Sequence, residues 1–330
     1  MKRLLLLALF PLLLFSGCWD YTELNMQSYV LGMSVDFIDN QYYVCIETVK
    51  ITGEPESLSA SEGVMIETSG LSIFDAVRDA IMSAGKKLYW GHAEILIMSE
   101  EIAKNHLIAI TDVLARAQDV YSNISLAVAA NGYTAREILN AKSPQGTIVS
   151  EHISHIFDNE ESSHRFVQTE LWQLQRDFPY TLLPAIHLEK EKKYPVVEGC
   201  AVIREKRLVG YLSGQETQIY SFVNEPSTGG YLPHIELDNG ISITLETLRC
   251  KPTRLKNHTR LDVIVALSST DSLFDIMNPS LHAEISKKAE ALLSYQISQL
   301  IAKPFGNPLP DSRYDVHVEL NSSGLLRRST

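Results

Sequence analysis

Gly70-Leu-Ser-Ile-Phe-Asp-Ala-Val-Arg-Asp-Ala-Ile-Met82, then Lys86-Lys-Leu-Tyr-Trp-Gly-His-Ala-Glu-Ile-Leu-Ile-Met98, then Ser99-Glu-Glu-Ile-Ala103 follow one another almost without a break. In the first segment Ile73, Ala76, Val77, Ala80 and Ile81 recur at helical spacing, with Ser72 at the N-cap position and Gly85 as the stop. The second ends in a continuous apolar run, which reads as a buried strand. Ser99 caps a further helix whose first-turn acids suit the helix dipole. Helix, strand and helix in mixed order predict an α+β chain.

Working outward toward the N-terminus, residues 28–37 and 42–51 are rich in β-branched and aromatic residues and read as a hairpin, with Asp39 and Asn40 in the turn. A polar loop occupies residues 52–63. Toward the C-terminus the helix begun at Ser99 continues to Leu114, followed by a strand at 125–130 and a short helix at 134–139. Two more helices are expected within 145–178, the second carrying Phe166, Leu171, Leu174 and Phe178. Residues 189–194 alternate charge sign (Glu-Lys-Glu-Lys-Lys) and read as a solvated linker. Beyond it come a hairpin over Glu205-Lys206, a short helix at 215–222, a loop at 226–230 and a strand at 240–249. A strand at 261–267, a long helix from Pro279 to the stop at Pro304, and the alternating strand Asp315-Val-His-Val-Glu-Leu320 close the chain. The expected fold is therefore three mixed α+β domains, built of small, mostly antiparallel sheets with packed helices: residues 18–190, 195–255 and 256–330.

The first twenty residues are of another kind. Met-Lys-Arg precedes 12 uncharged residues, Leu4 to Phe15, and then Ser16-Gly17-Cys18-Trp19-Asp20. A basic start, a short apolar run and small residues before a cleavage point make a secretory signal peptide. The run is well short of the ~20 residues that span a bilayer. Ser-Gly-Cys resembles a bacterial lipobox, with cleavage between Gly17 and Cys18 and a diacylglycerol on the Cys18 sulfur. Phe15 departs from the aliphatic residue usual three places before the cysteine. The bland alternative is an ordinary cysteine past an ordinary cleavage site. Each buried methylene contributes roughly 0.8 kcal/mol, and two acyl chains hold a protein durably where one does not. A lipidated Cys18 therefore confines the chain to the outer face of a membrane. Trp19 then stands in the headgroup zone or packs on the folded part.

Removing residues 1–17 deletes Lys2 and Arg3 and deepens the formal charge of −11 by two. This acidic balance, with no clustered Lys/Arg face, argues against a nucleic-acid partner. Cys45, Cys200 and Cys250 are too widely spaced for a disulfide framework or a zinc pattern. They read as three core thiols, or as one Cys200–Cys250 bridge with Cys45 free. No metalloprotease, phosphate-loop or nucleophile-elbow motif occurs. His152 and His155, with Asp158, can share a helix face, yet a metal needs three or four converging ligands, and solvated helix histidines are the plainer reading. His92 and Glu94, two apart on a strand, are the one conceivable acid/base pair. Tyr89 and Trp90 suit either a partner surface or the capping of a core. No catalytic residue, no metal and no cofactor beyond the diacylglycerol on Cys18 are expected.

Several phrases together resemble the Ger(x)C family, the lipoprotein C subunits of spore germinant receptors. They are Gly17-Cys18-Trp19-Asp20 with Glu23-Leu24-Asn25, Gly32-Met-Ser-Val-Asp36, Lys87-Leu-Tyr-Trp-Gly-His92, Gly199-Cys-Ala-Val, Lys206-Arg-Leu-Val-Gly-Tyr-Leu212 and Glu216-Thr217. The resemblance runs in order along nearly the whole chain. It implies a non-enzymatic, three-domain lipoprotein on the outer face of the spore inner membrane, lipidated at Cys18. Its partners would be a multi-spanning A subunit and an integral-membrane B subunit, in a response to nutrient germinants. Family members carry a longer, aromatic-bearing segment between the long helix and the last strand. Here only residues 303–313 fill it, so if that segment touches a partner in the family, the contact here is expected to be reduced or different. The competing readings are a stand-alone surface lipoprotein that binds a small ligand and an extracytoplasmic hydrolase.

Overall fold

Strand β1 (Gln27–Ile38) turns through Asp39 and Asn40, both at positive φ (49° and 62°), into β2 (Gln41–Val49). Two left-handed residues make the tight turn whose twist matches paired strands, and Asp and Asn tolerate that conformation better than most residues. The computed structural model of the chain describes residues 26–49, 63–117, 120–146, 148–176, 178–272 and 278–321.

The β1–β2 hairpin sits in a nine-stranded sheet. Its order is β3 (Gly63–Gly70), β2, β1, β5 (Ile95–Met98), β6 (Ser125–Ala129), β7 (Thr181–Leu188), β8 (Pro195–Arg204) and β9 (Arg207–Leu212), with β4 (Lys87–Tyr89) also alongside β1. Pairing is parallel from β1 through β5 and β6 to β7, and antiparallel toward both edges. A central parallel strand is covered on both faces, which is why all four residues of β5 are buried and its sequence shows no alternation. On one face lie α1 (Ile73–Ala84), a π-helical turn at Ile102–His106 and α2 (Leu107–Arg116). On the other lie α3 (Ala135–Leu139) and α4 (Val149–Phe157).

Residues 189–194 are not a linker: they form the turn between β7 and β8, and one sheet runs through them. Glu189 closes this turn, its carboxylate accepting from the N–H groups of Glu191 and Lys192. The α+β character stands, with antiparallel pairing on both flanks of this sheet, which is larger than expected and parallel at its centre. Among the described residues of 145–178 there are three short helices, not two: α4, α5 (Glu160–Ser163) and α6 (Leu171–Gln175).

The second sheet has the order β10 (Tyr231–Glu236), β11 (Ser242–Arg254), β12 (Thr259–Thr270) and β13 (Tyr314–Leu320). The long helix α8 (Pro279–Ile301) crosses from β12 to its parallel neighbour β13, burying Ile285, Ala289, Leu293, Ile297 and Leu300. Between the two sheets lies α7 (Gly214–Asn224), started by a capping box of Ser213 and Glu216. One apolar cluster is continuous from Ile97 and Phe157 through Phe222 to Leu245, Ile297 and Leu320. Residues 303–313 lock onto the first sheet. Lys303 meets Glu216 at 2.6 Å, the Phe305 carbonyl accepts from Arg204 at 2.7 Å, and the Phe305 ring lies where a side chain on Gly210 would be, 2.4 Å from its Cβ.

Candidate functional site

The expected lipidation and cleavage residues Gly17 and Cys18, with Trp19, lie outside the described residues. Tyr89 and Trp90 are described, and both stand at the N-terminal edge of the large sheet, where Gln27 of β1 is in register with Lys87 of β4. The Tyr89 ring meets Tyr29 edge-on at 5.5 Å and His92 at 5.6 Å, and Tyr29 and His92 are 5.8 Å apart. A Cβ on Gly91 would lie 2.6 Å from the Tyr89 hydroxyl, so a side chain there would have to displace that ring. Trp90 is half-buried against the core on the α1 face. Tyr89 and Trp90 thus lie beside the start of β1.

His92 and Glu94 do not form a pair. The imidazole is exposed in the tyrosine cluster, whereas Glu94 is half-buried against α4. Burial raises its carboxyl above the ordinary range, against a hydrogen bond from Ser154. Burial, and then the neighbouring His155, push the His152 imidazole down. Among the described residues no three or more His, Cys, Asp or Glu side chains converge as a metal site would require. Cys45, Cys200 and Cys250 are all free and buried, so no Cys200–Cys250 bridge forms; burial first, in each case, pushes the thiol up to about 12. Thiols held so far from ionisation are inert packing groups.

Two buried carboxylates, Asp36 and Glu47, are the charged groups that organise this half of the molecule. Helix α4 begins at Ile148, which offers no side-chain cap. Glu47 supplies it from β2: its carboxylate accepts from Val149 N–H (3.2 Å), Ser150 N–H (2.8 Å) and the Ser150 hydroxyl (2.5 Å). Asp36 does the same for α3, accepting from Ala135 N–H (2.8 Å) and Arg136 N–H (2.9 Å). Each pins a helix N-terminus onto the β1–β2 hairpin from about a hundred residues away, where the helix dipole favours a negative charge. Burial raises both carboxyls, while these N–H donors draw them back down.

A second cluster joins the two sheets. His164, at φ 52°, has its ring Nε2 2.6 Å from the Thr228 carbonyl, to which it donates. Arg165 bonds Glu198 and donates to the Tyr231 hydroxyl at 2.6 Å. Beside them, burial, reinforced by Glu225 and Glu161 and opposed by Gln168 N–H, pushes Glu160 up to about 7. From the ordinary 4.5 to about 7 the folded chain therefore keeps a proton that the unfolded chain releases. Stability from this group is complete at the acidic end and lost as pH rises through about 7. Glu160→Gln should melt with the wild type at about pH 4 and be more stable at about pH 8, by about 1 kcal/mol given its partial exposure. Parallel melting curves across that range check it; equal differences at both ends would remove the assignment.

Two family models match the chain. That described as "Spore germination protein N-terminal domain" covers residues 20–187, and that described as "Spore germination B3/ GerAC like, C-terminal" covers residues 198–305. The chain belongs to the GerAC family of spore germination proteins. Spore germination protein B3 of Bacillus subtilis (strain 168) is 27% identical over 262 residues, which are 75% of this chain and 67% of that protein. Spore germination protein KC of the same organism is 24% identical over 169 residues, 49% of this chain and 41% of that protein. The chain thus spans between about two fifths and two thirds of these relatives' length. Among solved structures, that of the GerBC protein superposes with a TM-score of 0.46 at 18% identity, over 91% of this chain and 99% of that one.

In this GerAC-family chain the phrases behind the resemblance have structural work to do. Gly32 lets α4 approach β1: a Cβ there would lie 2.1 Å from the Ser150 Oγ. Asp36, four residues on, caps α3. Gly199, at φ 77°, leaves room for the Leu212 carbonyl, 2.3 Å from where its Cβ would be. Glu216 closes the α7 capping box and reaches Lys303 just past the long helix; burial raises it, but Lys303 and the Ser213 N–H outweigh that and leave its carboxyl below the ordinary range. In the sequence, Gly32 and Asp36 stand out only within the family phrase, and Glu47 carries no local signal. The available signal was α4 itself, a helix with an isoleucine where its cap should be.

Proposed function

We propose that this chain is the lipid-anchored C subunit of a spore germinant receptor. It acts without catalysis, beside membrane-embedded A and B subunits, on the outer face of the spore inner membrane. The observation that carries this reading is family membership through both halves of the chain, residues 20–187 and 198–305. The signal peptide and Cys18 supply the means of attachment. A two-chain anchor concentrates the folded part at the surface where its partners reside, and losing it removes that local concentration. In spores whose own copy is replaced by Cys18→Ala, the nutrient response should slow by about tenfold or more, with germination triggered independently of nutrients unchanged. An unaltered nutrient response would contradict the reading.

A second reading, ligand capture by this subunit alone, draws on an open cleft of about 720 Å³ lined in part by Lys142, His152, Ile156, Lys192, Tyr194 and Val196. Its size is within the range of small-molecule sites. Anything that binds only the folded state raises its melting temperature by mass action. The detergent-extracted full chain, scanned against amino acids and sugars, should show no shift without its partners. A saturable shift would favour direct capture.

A further inference from the structure

We propose that one face of α1, with the two lysines after it, lies on the bilayer surface to which Cys18 tethers the chain, and that anionic headgroups are its partner. This rests on the anchor reading given above. Eight residues lie between Cys18 and Gln27, and the nine steps reach at most about 32 Å when fully extended. Gln27 is in register with Lys87, so the end of the molecule nearest the anchor is the end that carries α1's C-terminus.

Successive residues of a helix are 100° apart. Ile73, Ala76 and Ala80 face the core. Phe74, Arg78 and Met82, four apart, form the next stripe round the helix. Phe74 is 60% exposed and Met82 83% exposed, and Leu71 just before the N-cap is 75% exposed. Asp75 and Asp79 fall on the flank beyond. The Arg78 guanidinium lies over the exposed Phe74 ring, 5.3 Å from its centre, so cation and aromatic ring share one surface. Lys86 and Lys87, both exposed, continue the stripe toward the tether, where Met26 is 62% exposed. Large apolar side chains interleaved with cations are the composition of a helix that beds into the headgroup layer. In a chain whose net charge is −11, three cations gathered at the tethered end are aimed at an anionic surface.

The test uses the full, lipidated chain in vesicles of phosphatidylcholine with about 30% phosphatidylglycerol, the latter brominated on its acyl chains. A fluorophore is placed through Met82→Cys and, as a comparison, through Tyr295→Cys, an exposed position on α8. Flotation first establishes that the protein is on the vesicles. The label at 82 should be quenched about twofold or more and the label at 295 should not. In the Arg78→Glu, Lys86→Glu, Lys87→Glu variant, quenching at 82 should vanish while the protein still floats. Protein that floats with both labels equally bright, or equally quenched, overturns the docked face and leaves the anchor standing. A label at 82 shielded from an aqueous quencher yet untouched by bromolipid means that protein covers the stripe, and also overturns it. Protein that fails to float overturns the anchor, and the docked face with it.

Discussion

Glu47→Ala is expected to destabilise the chain by about 4 kcal/mol. The carboxylate accepts from two backbone N–H groups and a hydroxyl at the buried start of α4, and the helix has no cap of its own. Loss of a cap alone costs about 1 kcal/mol, and each buried donor left unsatisfied costs about 1–3 kcal/mol more. Glu47→Gln keeps one acceptor oxygen but turns an NH2 group toward a donor, so about half the loss is expected. Denaturant unfolding of the wild type and both variants gives the ranking directly. An alanine variant within about 1 kcal/mol of wild type would mean that water, not Glu47, satisfies the helix start.

Gly32→Ala is expected to cost about 3 kcal/mol, and Gly32→Val to prevent folding. The added Cβ would lie 2.1 Å from Ser150 Oγ, 3.0 Å from Ser150 Cβ and 3.1 Å from Ile95 Cγ2. Rotating the serine hydroxyl does not help, because its Cβ is also in the way and its Oγ is committed to Glu47. Helix α4 must back away from β1, which breaks the cap described above. Gly32→Ala and Ser150→Gly should therefore be strongly non-additive, the double variant recovering about half of the loss. Additive effects would show that the two positions do not share this contact.

Local signals carried much of the architecture. The long helix α8 announces itself by Pro279, its apolar spacing and the stop at Pro304. The apolar run of β5 and the cap and stop of α1 are equally plain. Pro184 hides strand β7 from a sequence pattern, and the structure accommodates that proline at a register shift in the ladder with β8. Alternating charges over residues 189–194 mark solvation, which suits a linker and a tight turn at the end of a sheet alike. The buried acids were the hardest to see. On β2, Cys45 and Glu47 point to one face and Val44 and Ile46 to the other, so Glu47 looked like the solvent side of a half-buried strand. What covers that face is a helix a hundred residues later, and no local pattern encodes a partner so far along the chain.

The proposed tether through Cys18 is tested most directly by the mass of the N-terminal peptide from detergent-extracted protein, measured beside a Cys18→Ala form. A peptide that begins at Cys18 and carries a diacylglycerol-sized addition, absent from the variant, is the expected result. An unmodified N-terminus on freely soluble protein would contradict it.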